Sequence, residues 1–153
     1  MSITIDTAVD IDASKQAVWD VLTDFAAYGE WNPFLRIEGT AEVGTKLVVH
    51  MSGGGEHGMS FRPKALVATP CEELRWLGKL GFRGIVDGEH FFILTTNEDG
   101  TTHLEHGERF SGALVALARG DSAKNDTGYE AFSQALKQRV ETRATRDDLV
   151  QPD

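Results

Sequence analysis

One stretch concentrates chemistry: THLEHGERFSG, residues 102–112, places His103, Glu105, His106, Glu108 and Arg109 within seven positions. Such a set could hold a metal, run an acid–base reaction, or simply decorate a strand. The outcome depends on which side chains share a face. As a strand, the stretch alternates. Leu104, His106, Glu108 and Phe110 then form one row, and His103, Glu105 and Arg109 the other. The first row is apolar at both ends, as a cavity-facing row would be, and the second is charged, as a solvent face would be. His103 and His106 point opposite ways, and an HxxH pair ligates from a helix, not a strand. No other Cys or His pair has zinc-site spacing, so no metal is expected.

The preceding strand decides what meets His106. Between the two lies TTNEDGTT. A three-residue loop, Glu98-Asp99-Gly100, closes as a type I turn with its glycine in the left-handed region. That register pairs His90 with Glu108, Phe92 with His106 and Leu94 with Leu104, with paired Cβ atoms about 5 Å apart. A two-residue Asp99-Gly100 turn would instead pair Phe91 with Glu108 and turn His90 away. The first gathers Phe92, Leu94, Leu104 and Phe110 on one face and is preferred. His90, His106 and Glu108 are then candidates to polarise a carbonyl or move a proton. They serve equally as a polar patch that orients a ligand or holds register, because a buried carboxylate must be paired or protonated. Ser111 lies on the face opposite His106, which leaves no Ser/His nucleophile arrangement.

These strands need a scaffold. ITIDTAVDI (3–11) alternates as a half-buried strand with Ile3, Ile5, Thr7, Val9 and Ile11 on one face. Ser14 reads as an N-cap for a short helix carrying Val18, Val21, Leu22 and Phe25. Gly29 and Pro33 break it. From residue 35 to 112 the chain reads as about six strands separated by polar or glycine-rich turns, an antiparallel meander. A long helix over 122–145 follows, with Tyr129, Phe132, Leu136 and Val140 at helical steps. One long helix covers a curved sheet only in part, which leaves a cavity between them.

The remaining signals narrow the class. The 153 residues are 41 % hydrophobic, sufficient for one core. Acidic residues outnumber basic ones 24 to 15, a net charge of −9, which argues against nucleic acid and anionic membrane as partners. The single cysteine, Cys71, excludes an internal disulfide and suits a reducing compartment. The N-terminus lacks a signal-peptide pattern, and no apolar run approaches the roughly 20 residues that span a bilayer. A cytoplasmic location without stable membrane insertion is expected. SGGGEHG (52–58) fits G-x-G-x-x-G, but a strand follows it where a dinucleotide fingerprint needs a helix. It reads as a loop over the cavity mouth with His57 at its tip, or as a plain turn. Arg83 reads as a rim residue or a solvated one.

Four segments, in this order, resemble the START-like (SRPBCC, or Bet v 1-like) superfamily, within it the polyketide cyclase/dehydratase and lipid-transport group. They are AVWDVLTDFAAYGEWNPF (17–34), ATPCEELRWLGKLGFRG (68–84), DGEHFFIL (87–94) with THLEHGERFSG, and GYEAFSQALKQRVE (128–141). The resemblance implies an α+β helix-grip fold. A curved antiparallel sheet of about six to seven strands wraps a long C-terminal helix, with two short helices after the first strand and an internal cavity. Residues 1–146 would form the domain and 147–153 a polar tail. It further implies a lipid-, polyketide- or aromatic-like ligand and no cofactor, and leaves a homodimer open. Trp31, Phe61, Trp76, Phe92, Leu104, Phe110, Phe132 and Leu136 are expected to offer apolar contact, and His90, His106 and Glu108 to fix orientation. Two alternatives stand: a cofactor-independent cyclase or dehydratase with His106 as base and Glu108 as acid, and a non-catalytic interaction or stress-response module.

Overall fold

The computed structural model describes residues 2–52, 58–80, 82–115 and 122–150. The glycine run with His57, expected over a cavity mouth, lies outside them. The chain begins with β1 (Ser2–Ile11), whose odd-numbered side chains turn inward as the alternation predicts. The short helix α1 (Lys15–Thr23) starts at Ser14, whose hydroxyl accepts from the Ala17 N–H at 3.2 Å. A 3-10 segment, Phe25–Glu30, follows. It stops at Trp31-Asn32-Pro33, where Asn32 Oδ1 accepts from the Phe34 and Leu35 N–H groups and launches the next strand.

Seven strands follow: β2 (Leu35–Glu38), β3 (Val48–Met51), β4 (Met59–Phe61), β5 (Lys64–Thr69), β6 (Glu73–Leu80), β7 (Val86–Thr96) and β8 (Thr102–Ser111). They do not make one continuous sheet. The order β1-β8-β7-β6-β5 forms one open antiparallel sheet and β2-β3-β4 a second. The break falls between β4 and β5, at Pro63, which has no N–H to continue the ladder. The sheets stay joined beside it: Leu47 N–H donates to the Pro63 carbonyl and Ala65 N–H to that of Thr45. The helix α2 (Ser122–Val150) closes the fold and runs past the expected end at 145, into the segment read as a tail.

The hairpin register is the one with the three-residue loop. His90 pairs with Glu108, Phe92 with His106 and Leu94 with Leu104. Asn97 N–H donates to the Thr101 carbonyl at 2.8 Å, and Gly100 takes φ 86°, the left-handed conformation this loop requires. Because paired residues share a face, three rows cross the inner surface of the larger sheet: Thr7–His106–Phe92–Leu74, Ile5–Glu108–His90–Trp76 and Ile3–Phe110–Gly88–Gly78. The outer surface carries Asp6–Gly107–Phe91–Arg75. There the Arg75 guanidinium lies 5.2 Å from the centre of the Phe91 ring and bonds Glu73 and Glu89. At Gly107 a Cβ would fall 2.0 Å from the Ile5 carbonyl oxygen, so the backbones of β1 and β8 meet where no side chain fits.

The core lies between the inner rows, α1, the smaller sheet and α2. Leu74, Phe92, Leu94 and Leu104 from the sheet meet Phe132, Leu136 and Val140 of α2 and Leu22 and Phe25 beside them. Each fully buried large apolar side chain contributes about 1.5–3 kcal/mol. Charged contacts at one end pin α2 across this surface. Lys137 bonds the Asp10 carbonyl, and Glu141 accepts from the Asp12 N–H at 3.0 Å.

Candidate functional site

Under α2, the second and first inner rows place His90, His106 and Glu108 side by side. The contacts run as one chain. Tyr129 donates its hydroxyl to Glu108 Oε2. The same oxygen lies 3.5 Å from His90 Nδ1, at the outer limit of a hydrogen bond. His90 Nε2 and His106 Nε2 share a hydrogen at 2.8 Å, and His106 Nδ1 meets Ser133 Oγ at 3.0 Å. Two aromatic plates hold the imidazoles. Trp76 stacks on His90 with centroids 4.8 Å apart, and Phe92 stacks on His106 at 4.4 Å. Phe132 closes over His106 at 4.8 Å.

Electrostatics divide the roles. Burial, then the neighbouring charge on His90, holds the His106 imidazole well below its ordinary range, outweighing the Tyr129 carbonyl that favours protonation. His106 is therefore neutral. Burial also pushes Glu108 upward, but the hydrogen bond and charge of His90 and the Tyr129 hydroxyl together bring its carboxyl below the ordinary carboxylate range. Glu108 is the ionised member, so in this fold it is an acceptor and not a stored acid. It also sits nearer the outside: its side chain keeps 19 % exposure, whereas His106 keeps 1 %.

The expected apolar residues separate into groups. Trp76, Phe92 and Phe132 touch the histidines. Trp31 reaches the cluster through Phe132, at 5.6 Å. Leu104 and Leu136 are fully buried core. Phe110 is half-buried beside Gly88, and Phe61 sits in the smaller sheet paired with Val49. Arg83 is exposed. Ring-against-ring packing fills the interface around His106; the side chain-free positions of the inner face are Gly78 and Gly88, next to Glu108. A surface cleft of about 630 Å³ opens elsewhere, at the β7–β8 turn, among Asp10, Asn97, Asp99, His103 and Lys137. Its lining is charged and Ile11 is its one apolar wall residue, so the polar cluster in aromatic surroundings is the stronger site.

Sequence reasoning missed Tyr129 and Ser133 as members. The signal existed: two hydroxyl residues four apart, on the helical stripe that carries Phe132 and Leu136. Ser133 also supplies the Ser–His contact that the strand pattern did not offer. At 2 % exposure its oxygen is closed to a substrate, and it serves to hold His106. Among the described residues no group of three or more His, Cys, Asp or Glu side chains is placed to hold a metal ion. No helix among them is long and apolar enough to cross a membrane.

Residues 2–141 match the family described as polyketide cyclase / dehydrase and lipid transport. The chain belongs to that family. No match was found among curated protein sequences. Solved structures share the family's fold at low identity. The Zhui aromatase/cyclase from Streptomyces sp. R1128 is similar with a TM-score of 0.73 and 18 % identity, covering 94 % of this chain and 96 % of that one. A norcoclaurine synthase point mutant from Thalictrum flavum gives 0.73 and 15 %, over 94 % and 97 %. A START superfamily protein from Mycobacterium smegmatis gives 0.70 and 20 %, over 91 % and 97 %. At these identities the likeness speaks for the helix-grip fold alone.

Proposed function

We propose that the chain binds a small or medium-sized hydrophobic molecule with a few polar groups against the inner face of the larger sheet, at the Glu108 end of the polar cluster, where Gly78 and Gly88 carry no side chain. One observation carries this reading: the hydrogen-bonded chain Tyr129–Glu108–His90–His106–Ser133 is set among Trp76, Phe92 and Phe132. Burying His90, His106 and Ser133, with Glu108 and Tyr129 half-buried beside them, costs stability that an all-apolar core would not lose. Aromatic walls with a few convergent polar groups are what a ligand site for such a molecule requires. The family description, which names polyketides and lipids, supports the same chemical class. Native mass spectrometry of freshly purified protein tests it. A co-purified small molecule, lost on denaturation, is the expected result. Protein free of any adduct that is also not stabilised against heat by any apolar compound overturns it.

A second reading, a cyclase- or dehydratase-like lyase without a cofactor, is favoured by the ionised Glu108 beside His90. In it Glu108 takes a proton from the carbon beside the substrate carbonyl and, now a neutral acid, returns it to the departing hydroxyl, which leaves as water as the double bond forms; the more deeply buried His106 holds His90 beside Glu108. Glu108→Gln then abolishes turnover, a loss far larger than its change in ligand affinity. Unchanged turnover sinks this reading and leaves the first intact.

A further inference from the structure

Building on the ligand-binding reading, we propose that the site takes a flat apolar ring bearing a hydrogen-bond donor, and that Glu108 Oε1 selects this donor over a carboxylate. All four histidine ring nitrogens face a partner: Nδ1 of His90 faces Glu108, the two Nε2 atoms face each other, and Nδ1 of His106 faces Ser133. The Tyr129 hydroxyl donates to Glu108 Oε2. The donors of the cluster are thus turned inward on the cluster itself.

Glu108 Oε1 faces elsewhere. A Cβ at Gly88 would lie 2.4 Å from it, so this oxygen occupies the room that the missing side chain leaves. Beyond it, on the same row, a Cβ at Gly78 would meet nothing nearer than Pro63 Cβ at 3.8 Å. Glycine inside a strand marks a close approach of backbone or ligand. Here one glycine admits the carboxylate, and its neighbour leaves a low floor beside it, with Pro63 and the Gly88 carbonyl in ordinary contact range. Trp76 precedes Gly78 by two positions on that face, and Phe110 and Pro63 rim the floor. An ionised carboxylate is acceptor-only. A hydroxyl or ammonium on the ring gains a charge-assisted bond there; a carboxylate meets like charge.

Isothermal titration at neutral pH with 2-naphthol, 2-naphthylmethylammonium and 2-naphthoate tests this. Naphthol or the ammonium, or both, should bind about tenfold or more tighter than naphthoate, the gap between a charge-assisted bond and none. Preference for the ammonium over naphthol assigns the selection to charge pairing, the reverse order to a neutral hydroxyl. Glu108→Gln should bring the three ligands within roughly threefold of one another. Gly88→Ala, which fills the place of Oε1 without changing charge, should weaken naphthol about tenfold with its circular dichroism intact. This second variant decides the matter if Glu108→Gln does not fold. Naphthoate binding as tightly as naphthol overturns the selection while leaving the ligand-binding reading standing, as does unchanged naphthol affinity in Gly88→Ala. If none of the three binds, the selection also fails, and the co-purification result alone then decides the broader reading.

Discussion

His103 and His106 stand three positions apart on β8 and live in different solvents. His103 bonds Asp10 Oδ1 at 2.8 Å with a third of its side chain exposed. The Asp10 carboxyl is held below its ordinary value, first by the Asn97 amide and then by His103. His106 is buried, bonded to His90 and Ser133 and pressed between Phe92 and Phe132. Strand alternation alone makes the difference. On the outside, water competes with every polar contact, and an exposed pair adds little. Inside, each ring nitrogen that loses its partner keeps the whole desolvation penalty.

That contrast can be broken by removing each ring in turn. The largest effect is expected from His106→Ala, which opens a void among Phe92, Tyr129 and Phe132 and strands His90 and Ser133. A loss of about 3 kcal/mol in urea unfolding is expected. A similar loss from His103→Ala would erase the distinction between the faces. Acid comes next. The depressed value of His106 means the unfolded chain takes up its proton first, so this contribution is complete above pH 6.5 and declines as pH falls toward the folded value. The slope is at most about 1.4 kcal/mol per pH unit. Glu108, also depressed, adds stability above its ordinary 4.5 that is lost at lower pH. His106→Asn should flatten unfolding stability between these two values; an unchanged slope would assign the acid sensitivity to another group. Ser133→Ala, which removes one hydroxyl partner, should cost about 1 kcal/mol by the same unfolding measurement. Smallest of all, His103→Ala should leave the urea midpoint within experimental scatter.

Much of this was legible beforehand because it rests on periodicity. The row Leu104-His106-Glu108-Phe110 follows from a period of two, and the His90–Glu108 pairing from one glycine that permits the three-residue loop. Register, however, fixes which Cβ atoms are opposite, not which heads bond. His90 reaches Glu108 only at 3.5 Å and meets His106, its diagonal neighbour, at 2.8 Å, because side-chain torsions choose among adjacent partners. The rotation of α2 about its axis was also beyond the strand pattern, so Tyr129 and Ser133 went unassigned to the cluster. The split at Pro63 was visible as a residue but not as a boundary, since a proline at a strand's edge and one between two sheets read alike.

Gly107 carries no functional group, yet it stands between His106 and Glu108 where an added Cβ would collide with the backbone of β1. The hydroxyl of Thr7 bonds the His106 carbonyl beside it, at 2.6 Å. Any other residue there must push the Ile5 carbonyl or the Phe91 ring aside, and the two neighbours of position 107 would move with the strand. A saturation screen scored by function would therefore rank position 107 with 106 and 108, and read a spacer as a participant. Only a parallel measure of folded protein in the same library separates a residue that acts in function from the one that lets two strands meet.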